Sequence, residues 1–186
     1  MTNLLEINDL SVDFPSRRGQ VAAVNKVSIA VAKGEVLGLV GESGAGKSTV
    51  GNSIINLLEP PGYISGGEII FDGNRIDQLS NEEMRKIRGA KIGTIFQDPQ
   101  TSLNPLMTIG KQLSETLIET LKISGSTARE KSIELLDSVG IPNPEPRLDA
   151  YPHQFSGGMR QRVVIALALA GDPKAITTRW RIPPEN

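Results

Sequence analysis

Gly41-Glu42-Ser43-Gly44-Ala45-Gly46-Lys47-Ser48 meets every fixed position of the pattern G-x-x-x-x-G-K-[ST] and follows directly on the apolar run Val36-Leu37-Gly38-Leu39-Val40. No other stretch constrains the fold as tightly, because an octapeptide of this kind joins a strand to a helix. The glycines let the backbone curl until successive N–H groups point at phosphate oxygens, and the helix that follows adds its positive N-terminal end. In that geometry Lys47 reaches the β- and γ-phosphates as a point charge, and the Ser48 hydroxyl ligates Mg2+. The competing reading is an ordinary glycine-rich left-handed turn, which has no need of Lys and Ser at their places. Nucleotide binding is therefore expected at Gly41, Glu42, Ser43, Gly44, Ala45, Gly46, Lys47, Ser48 and Thr49. The near-continuous apolar character of Val36–Val40 suits a parallel strand covered on both faces.

The rest of the composition mainly excludes. Twenty basic against 21 acidic residues leave a net charge of −1, so no strong field draws the chain to nucleic acid or anionic lipid. The longest uninterrupted apolar run, Val163 to Ala170, is far below the roughly 18 residues of a membrane span. The start, Met1-Thr2-Asn3-Leu4-Leu5-Glu6, lacks the layout of a signal peptide, and a cytoplasmic protein is expected. Without cysteine there is no disulfide and no thiolate metal site. With 186 residues the chain can hold one domain with a real core, or a larger domain cut short.

Leu4–Phe14 and Val21–Val31 carry β-branched residues in partial alternation, separated by the polar stretch Pro15 to Gln20, and predict a hairpin. A helix of about three turns is expected after the glycine loop, through Leu58, stopped by Glu59-Pro60-Pro61-Gly62. Gly67 to Gly73 reads as a strand with a turn. Ser80 with Glu83 forms a capping box for a short helix that Gly89 ends. Ile92 to Phe96 predicts a strand ending at Gln97. Two amphipathic helices follow, Ile109 to Lys122 and Ala128 to Val139, the second with Thr127 and Glu130 as capping box and Gly140 as its C′ residue. Proline-rich Ile141 to Gln154 reads as loop, and Ser156 as the N-cap of a largely buried helix running to Ala170.

Phe155-Ser156-Gly157-Gly158-Met159-Arg160-Gln161-Arg162 resembles the signature motif of ATP-binding cassette proteins, and Gln97 in Ile95-Phe96-Gln97-Asp98 resembles their Q-loop glutamine. The resemblance runs from about Leu4 to Lys174. Gln97 to Pro105 and Tyr151 to Gly158 look like the dipeptide, oligopeptide and nickel importer branch. It implies an α/β fold, a P-loop NTPase with an antiparallel β subdomain and a helical subdomain at about residues 101–149, within a nucleotide-binding domain at 1–174. Ser156 at a helix N-cap, followed by glycines that expose backbone N–H groups, makes a second anion site at a positive helix end. By resemblance Ser156, Gly157, Gly158 and Met159 face the ATP held by a second ATPase subunit, in a head-to-tail homo- or heterodimer. Phe14 falls where the family places an aromatic that stacks on adenine; the alternative is a core strand residue. Lys47 and Gln97 take the catalytic roles the family implies, and Ser48 and Gln97 those of Mg2+ contact.

The resemblance stops after Lys174. The family continues into an apolar strand ending in Asp-Glu and then to a switch histidine, whereas Ala175 to Asn186 has no carboxylate before Glu185 and no evident apolar strand. That missing strand is expected beside the phosphate-loop strand, and its loss to expose an apolar edge. The single histidine, His153, precedes the signature and reads as a loop or surface group. Residues 175–186 thus look like a non-matching tail on a truncated subunit. The expected function is the ATP-binding subunit of a peptide or nickel importer, peripheral on the inner face of the cell membrane and partnered by transmembrane permease subunits, with no nucleic acid. The alternative is a non-hydrolysing nucleotide-binding or dimer-poisoning fragment. A DNA-maintenance ATPase would need long heptad-patterned coiled coils, and the helices here are short.

Overall fold

A computed structural model describes residues 3–17, 19–96 and 102–178. They fall into two compact units, residues 1–85 and 86–186.

In the first unit the expected hairpin forms. β1 (Asn3–Ser16) pairs antiparallel with β2 (Gly19–Ala32), and β3 (Tyr63–Phe71) pairs with the other edge of β1. With the two-residue β4 (Asn74–Arg75) the sheet order is β2-β1-β3-β4. Ile7, Leu10, Val12, Val24, Ile69 and Phe71 are its buried apolar residues. Asp72 and Gly73, both at positive φ (51° and 75°), form the two-residue turn between β3 and β4, as right-handed strand twist favours. Arg75 then reaches Asp77 through two nitrogens, at 3.0–3.2 Å, and this hydrogen bonding, ahead of the Coulomb attraction, raises its pKa above the ordinary value.

Helix α1 (Lys47–Ile54) is shorter than the three turns expected. It stops before the prolines are reached because Asn56 turns left-handed, φ 49°, and Leu57 N–H bonds back to Asn52 O at 2.9 Å. α2 (Asn81–Arg85) begins as expected. Ser80 N–H donates to Glu83 Oε2 at 2.9 Å and Glu83 N–H to Ser80 Oγ at 3.3 Å.

Val36–Val40 departs from expectation. The segment belongs to neither sheet, and Val36 and Val40 are 95% and 87% exposed. A strand needs a neighbour to take its N–H and C=O groups, and among the described residues none lies alongside.

The second unit holds β5 (Ile92–Ile95), α3 (Ile109–Leu121), α4 (Gly125–Ser138), α5 (Pro144–Arg147), α6 (Gly157–Leu169) and β6 (Ala175–Thr178). β6 corrects the reading of the tail. These four residues do form a strand, parallel to β5 with Ile92 opposite Ala175 and Ile95 opposite Thr178, and Thr177 Oγ1 meets Thr94 Oγ1 at 3.2 Å. It was overlooked because two threonines occupy half of it, and β-branched residues suit a ladder as well as apolar ones do. The core here gathers Ile109 and Leu113 of α3, Leu136 of α4, and Val163, Val164 and Ala166 of α6, with Leu103, Ile141, Leu148 and Phe155 from the connections.

The capping box placed at Thr127 is also corrected. α4 starts earlier, at Gly125, and its N-cap is Ser124, whose Oγ accepts from Thr127 N–H at 3.4 Å. Both Ser124 and Thr127 suit a cap, and the helix starts from the earlier one, with Ala128 buried in its first turn and a half. The C-terminal end agrees with expectation. Gly140, φ 72°, donates to Asp137 O and Ile141 N–H to Leu136 O, the paired bonds of a Schellman motif. Proline-rich 141–154 is not all loop, since it contains α5 and a 3-10 turn at Pro152–Gln154. If Ser124 is the cap, Ser124→Ala should lower unfolding free energy by about 1 kcal/mol while Thr127→Ala costs a few tenths. Urea titration followed by far-ultraviolet circular dichroism checks the difference.

Candidate functional site

The glycine loop is built by backbone that only glycine takes readily. Gly41, Gly44 and Gly46 have φ of 155°, 87° and 80°. Gly46 is the N-cap of α1, in left-handed conformation, and no side chain caps the helix, so its first N–H groups are left to other acceptors. A Cβ on Gly46 would collide with the carbonyl oxygen of Ala23 in β2 and touch Val24 Cγ2 at 3.4 Å. The loop is thereby seated on the sheet, and its last glycine is required twice, by φ and by close approach.

Lys47 folds back over the loop. Its Nζ donates to Gly41 O at 2.6 Å and to Glu42 O at 2.5 Å. An ammonium bonded to two carbonyls at a helix N-terminus stands where an anion can accept its third proton. Ser48 lies exposed in the first turn and Thr49 is half-buried. Among the described residues no cluster of three or more His, Cys, Asp or Glu could hold a metal ion by itself. The donor set therefore fits a Mg2+ that arrives on phosphate oxygens and gains the Ser48 hydroxyl, as such ions do.

Phe14 is brought near this loop by strand register. It is half-buried and lies opposite Val21, two residues from the Ala23 carbonyl that meets Gly46. At about 3.3 Å per residue and about 4.8 Å between strands, its Cα stands within roughly 10 Å of that contact.

The second unit carries Ser156, Gly157, Gly158 and Met159. Ser156 is the N-cap of α6, φ −63° and ψ 163°, and its Oγ accepts from Met159 N–H at 3.2 Å. That leaves the hydroxyl proton free to donate outward. Ser156, Gly157 and Gly158 are exposed, while Phe155 just before them is buried. Gly93 lets β5 approach the other end of α6, since a Cβ there would lie 2.5 Å from Ala168 O. Phe96 follows β5 and is 41% exposed; Gln97, the next candidate, lies outside the described residues.

Sequence reading missed two residues that shape the signature turn. Gln154 Oε1 accepts from Tyr151 N–H at 2.7 Å, and Arg160 reaches back one turn to donate to Phe155 O at 2.7 Å, its Nε buried without a partner among the described residues. The Gln154 bond was visible as spacing, a glutamine at the third position of a turn. The Arg160 bond was not, since arginine after a Ser-Gly-Gly turn ordinarily points to solvent. His153 lies exposed and stacks on Tyr151, with ring centroids 5.7 Å apart, as expected of a surface group.

The described geometry has counterparts. The sequence matches the family described as ABC transporter over residues 24–177. It is 51% identical over 177 residues to the oligopeptide transport ATP-binding protein OppD of Bacillus subtilis, covering 95% of this chain and 49% of that one. It is 45% identical over 173 residues to the dipeptide transport ATP-binding protein DppD of Escherichia coli, covering 93% of this chain and 53% of that one. The chain thus spans about half the length of these curated relatives. Its backbone is similar to that of the ATP-binding cassette MJ0796, solved as a dimer in a post-hydrolysis state with ADP and Pi, with a TM-score of 0.82 at 30% identity over 94% of this chain and 72% of that one. Because Gly46 is constrained by φ and by the Ala23 carbonyl, Gly46→Ala should weaken binding of a nucleoside triphosphate by at least about tenfold, whereas Gly51→Ala, in open space within α1, should leave it within about twofold. Isothermal titration of both variants makes the comparison.

Proposed function

Because this chain belongs to the ATP-binding cassette transporter family, we propose that it is the ATP-binding portion of a peptide importer's ATPase subunit, working at the inner face of the membrane with permease subunits. The observation that carries the reading is the phosphate loop, with Lys47 drawn over the Gly41 and Glu42 carbonyls at the uncapped start of α1. Gly41 to Thr49 hold the phosphates, Ser48 contacts Mg2+, and Phe14 stacks on the base. Ser156 to Met159 contact the ATP of a second subunit, homo- or heterodimeric, through the outward hydroxyl and the exposed glycines. The capped, exposed N-terminus of α6 supports that role. Gln97 contacts Mg2+ or the attacking water, a role that rests on its motif alone. Peptide rather than nickel is favoured as cargo by relatives named for oligopeptide and dipeptide transport. No described helix is long and apolar enough to cross a membrane, which fits a subunit that reaches the bilayer through partners.

A second reading concerns this 186-residue chain taken alone. In phosphate-loop ATPases Mg2+ is shared between the loop hydroxyl and an aspartate from a neighbouring strand. β6 is Ala-Ile-Thr-Thr and brings no carboxylate. Without a carboxylate to act as general base, turnover falls by about 10²–10⁴-fold. The chain by itself is then a nucleotide binder that pairs with a competent subunit and poisons it.

Lys47→Ala should weaken binding of a fluorescent ATP analogue roughly ten- to a hundredfold, the scale of charge-assisted hydrogen bonds lost; unchanged affinity would remove the nucleotide site. Steady-state ATPase of the 186-residue chain should stay at background. A chimera continued beyond Lys174 with the relatives' sequence should gain turnover that disappears when Ser156→Ala is placed in the partner subunit. Turnover by the short chain, abolished by Lys47→Ala, would overturn the second reading and leave the first intact.

A further inference from the structure

We infer that Gly62 sets the position of the Phe14 ring and through it the grip on the nucleotide base, an inference that rests on the stacking reading of Phe14 proposed above. A Cβ built on Gly62 would lie 2.5 Å from Phe14 Cε1, 2.6 Å from Cζ and 3.0 Å from Glu59 O. The ring edge therefore lies directly on the Gly62 backbone, in space that any side chain would claim.

The backbone at Gly62 makes no such demand. Its φ is not in the left-handed range, unlike that of Gly67 and Gly73 in the same unit. A turn glycine is ordinarily kept for its φ. Here the two nearest atoms are the far end of the Phe14 side chain, so the residue is small because the ring is there.

The backbone of Gly62 is also the side of this contact that cannot give way. Gly62 N–H donates to Glu59 O at 2.9 Å, which closes the turn into β3. The next residue, Tyr63, is in register opposite Asp13, the neighbour of Phe14 in β1. Its hydroxyl accepts from Gln20 Nε2 at 2.9 Å, tying β3 to β2 across β1. A methyl group at 62 thus meets a ring free to rotate and a backbone held at both ends. The ring moves, by the ångström or so needed to restore van der Waals distance, and leaves the place where a base can lie flat on it. The strands and the phosphate loop stay as they are.

The test compares two ligands that share phosphates and differ in the base, MgATP and magnesium tripolyphosphate. Affinities are measured by titration calorimetry on the full 186-residue chain as wild type, Gly62→Ala, Phe14→Ala and the double variant. Gly62→Ala should weaken MgATP roughly tenfold, the scale of one base–aromatic stack, and leave tripolyphosphate within about twofold, which also reports an intact loop. In the Phe14→Ala background the same substitution should cost nothing further, because the ring it displaces is gone. A Gly62→Ala variant that binds MgATP as wild type does, that loses both ligands together, or whose effect adds to that of Phe14→Ala would overturn the inference. If Phe14→Ala itself leaves MgATP affinity unchanged, the stacking reading fails and the inference with it. A loss in Phe14→Ala without one in Gly62→Ala defeats the inference alone.

Discussion

The glycine loop proposed to hold phosphate depends on one close approach, that of Gly46 to the carbonyl oxygen of Ala23. A loop whose glycines all take positive φ has little conformational preference of its own and pays the backbone entropy of being held in one shape. Its shape comes from what it rests on. The β1–β2 ladder presents the Ala23 carbonyl at a height that only a residue without Cβ can meet. Once Gly46 is seated, α1 begins at Lys47, and the Lys47 side chain closes over the Gly41 and Glu42 carbonyls. The same ladder holds Phe14 opposite Val21. Loop and aromatic are thus spaced by hydrogen-bond register, a rigid ruler, rather than by a flexible connection.

The second unit solves a related problem differently. The start of α6 is exposed, yet a helix start in water is prone to fray. Phe155 anchors it from below in the core. Gln154 and Arg160 pin the turn before it, and Ser156 accepts from the Met159 N–H, the third of the helix, without using its own proton. Three hydrogen bonds between residues 151 and 160 leave Ser156 and the glycines little freedom, which is what pre-organised recognition requires. At the far end of the helix, Gly93 admits the carbonyl of Ala168, so β5 and α6 are held at backbone contact.

The misreadings have separate physical origins. Ser124 and Thr127 offer equivalent caps, and the helix starts from the earlier one, a choice that local propensity does not contain. The short strand Ala175–Thr178 carries no apolar run, and it is a strand because Ile92–Ile95 offers a parallel edge. Val36–Val40 has every intrinsic mark of a strand and is none among the described residues, because a strand is a relation between two segments.

The amino-acid sequence by itself determined the family and the local turns. The spacing of Gly41, Gly46, Lys47 and Ser48, the cap at Ser156 and the Schellman glycine Gly140 all act within a few residues, so their consequences can be read from adjacent letters. Tertiary structure alone decided which segments found a partner. It set Phe14 at a fixed spacing from the phosphate loop, brought Arg160 back to the Phe155 carbonyl, joined β6 to β5 and laid the Phe14 ring on Gly62. Most of these contacts join residues far apart in the chain, where the balance between chain entropy and packing depends on the whole unit, and no local pattern encodes the outcome.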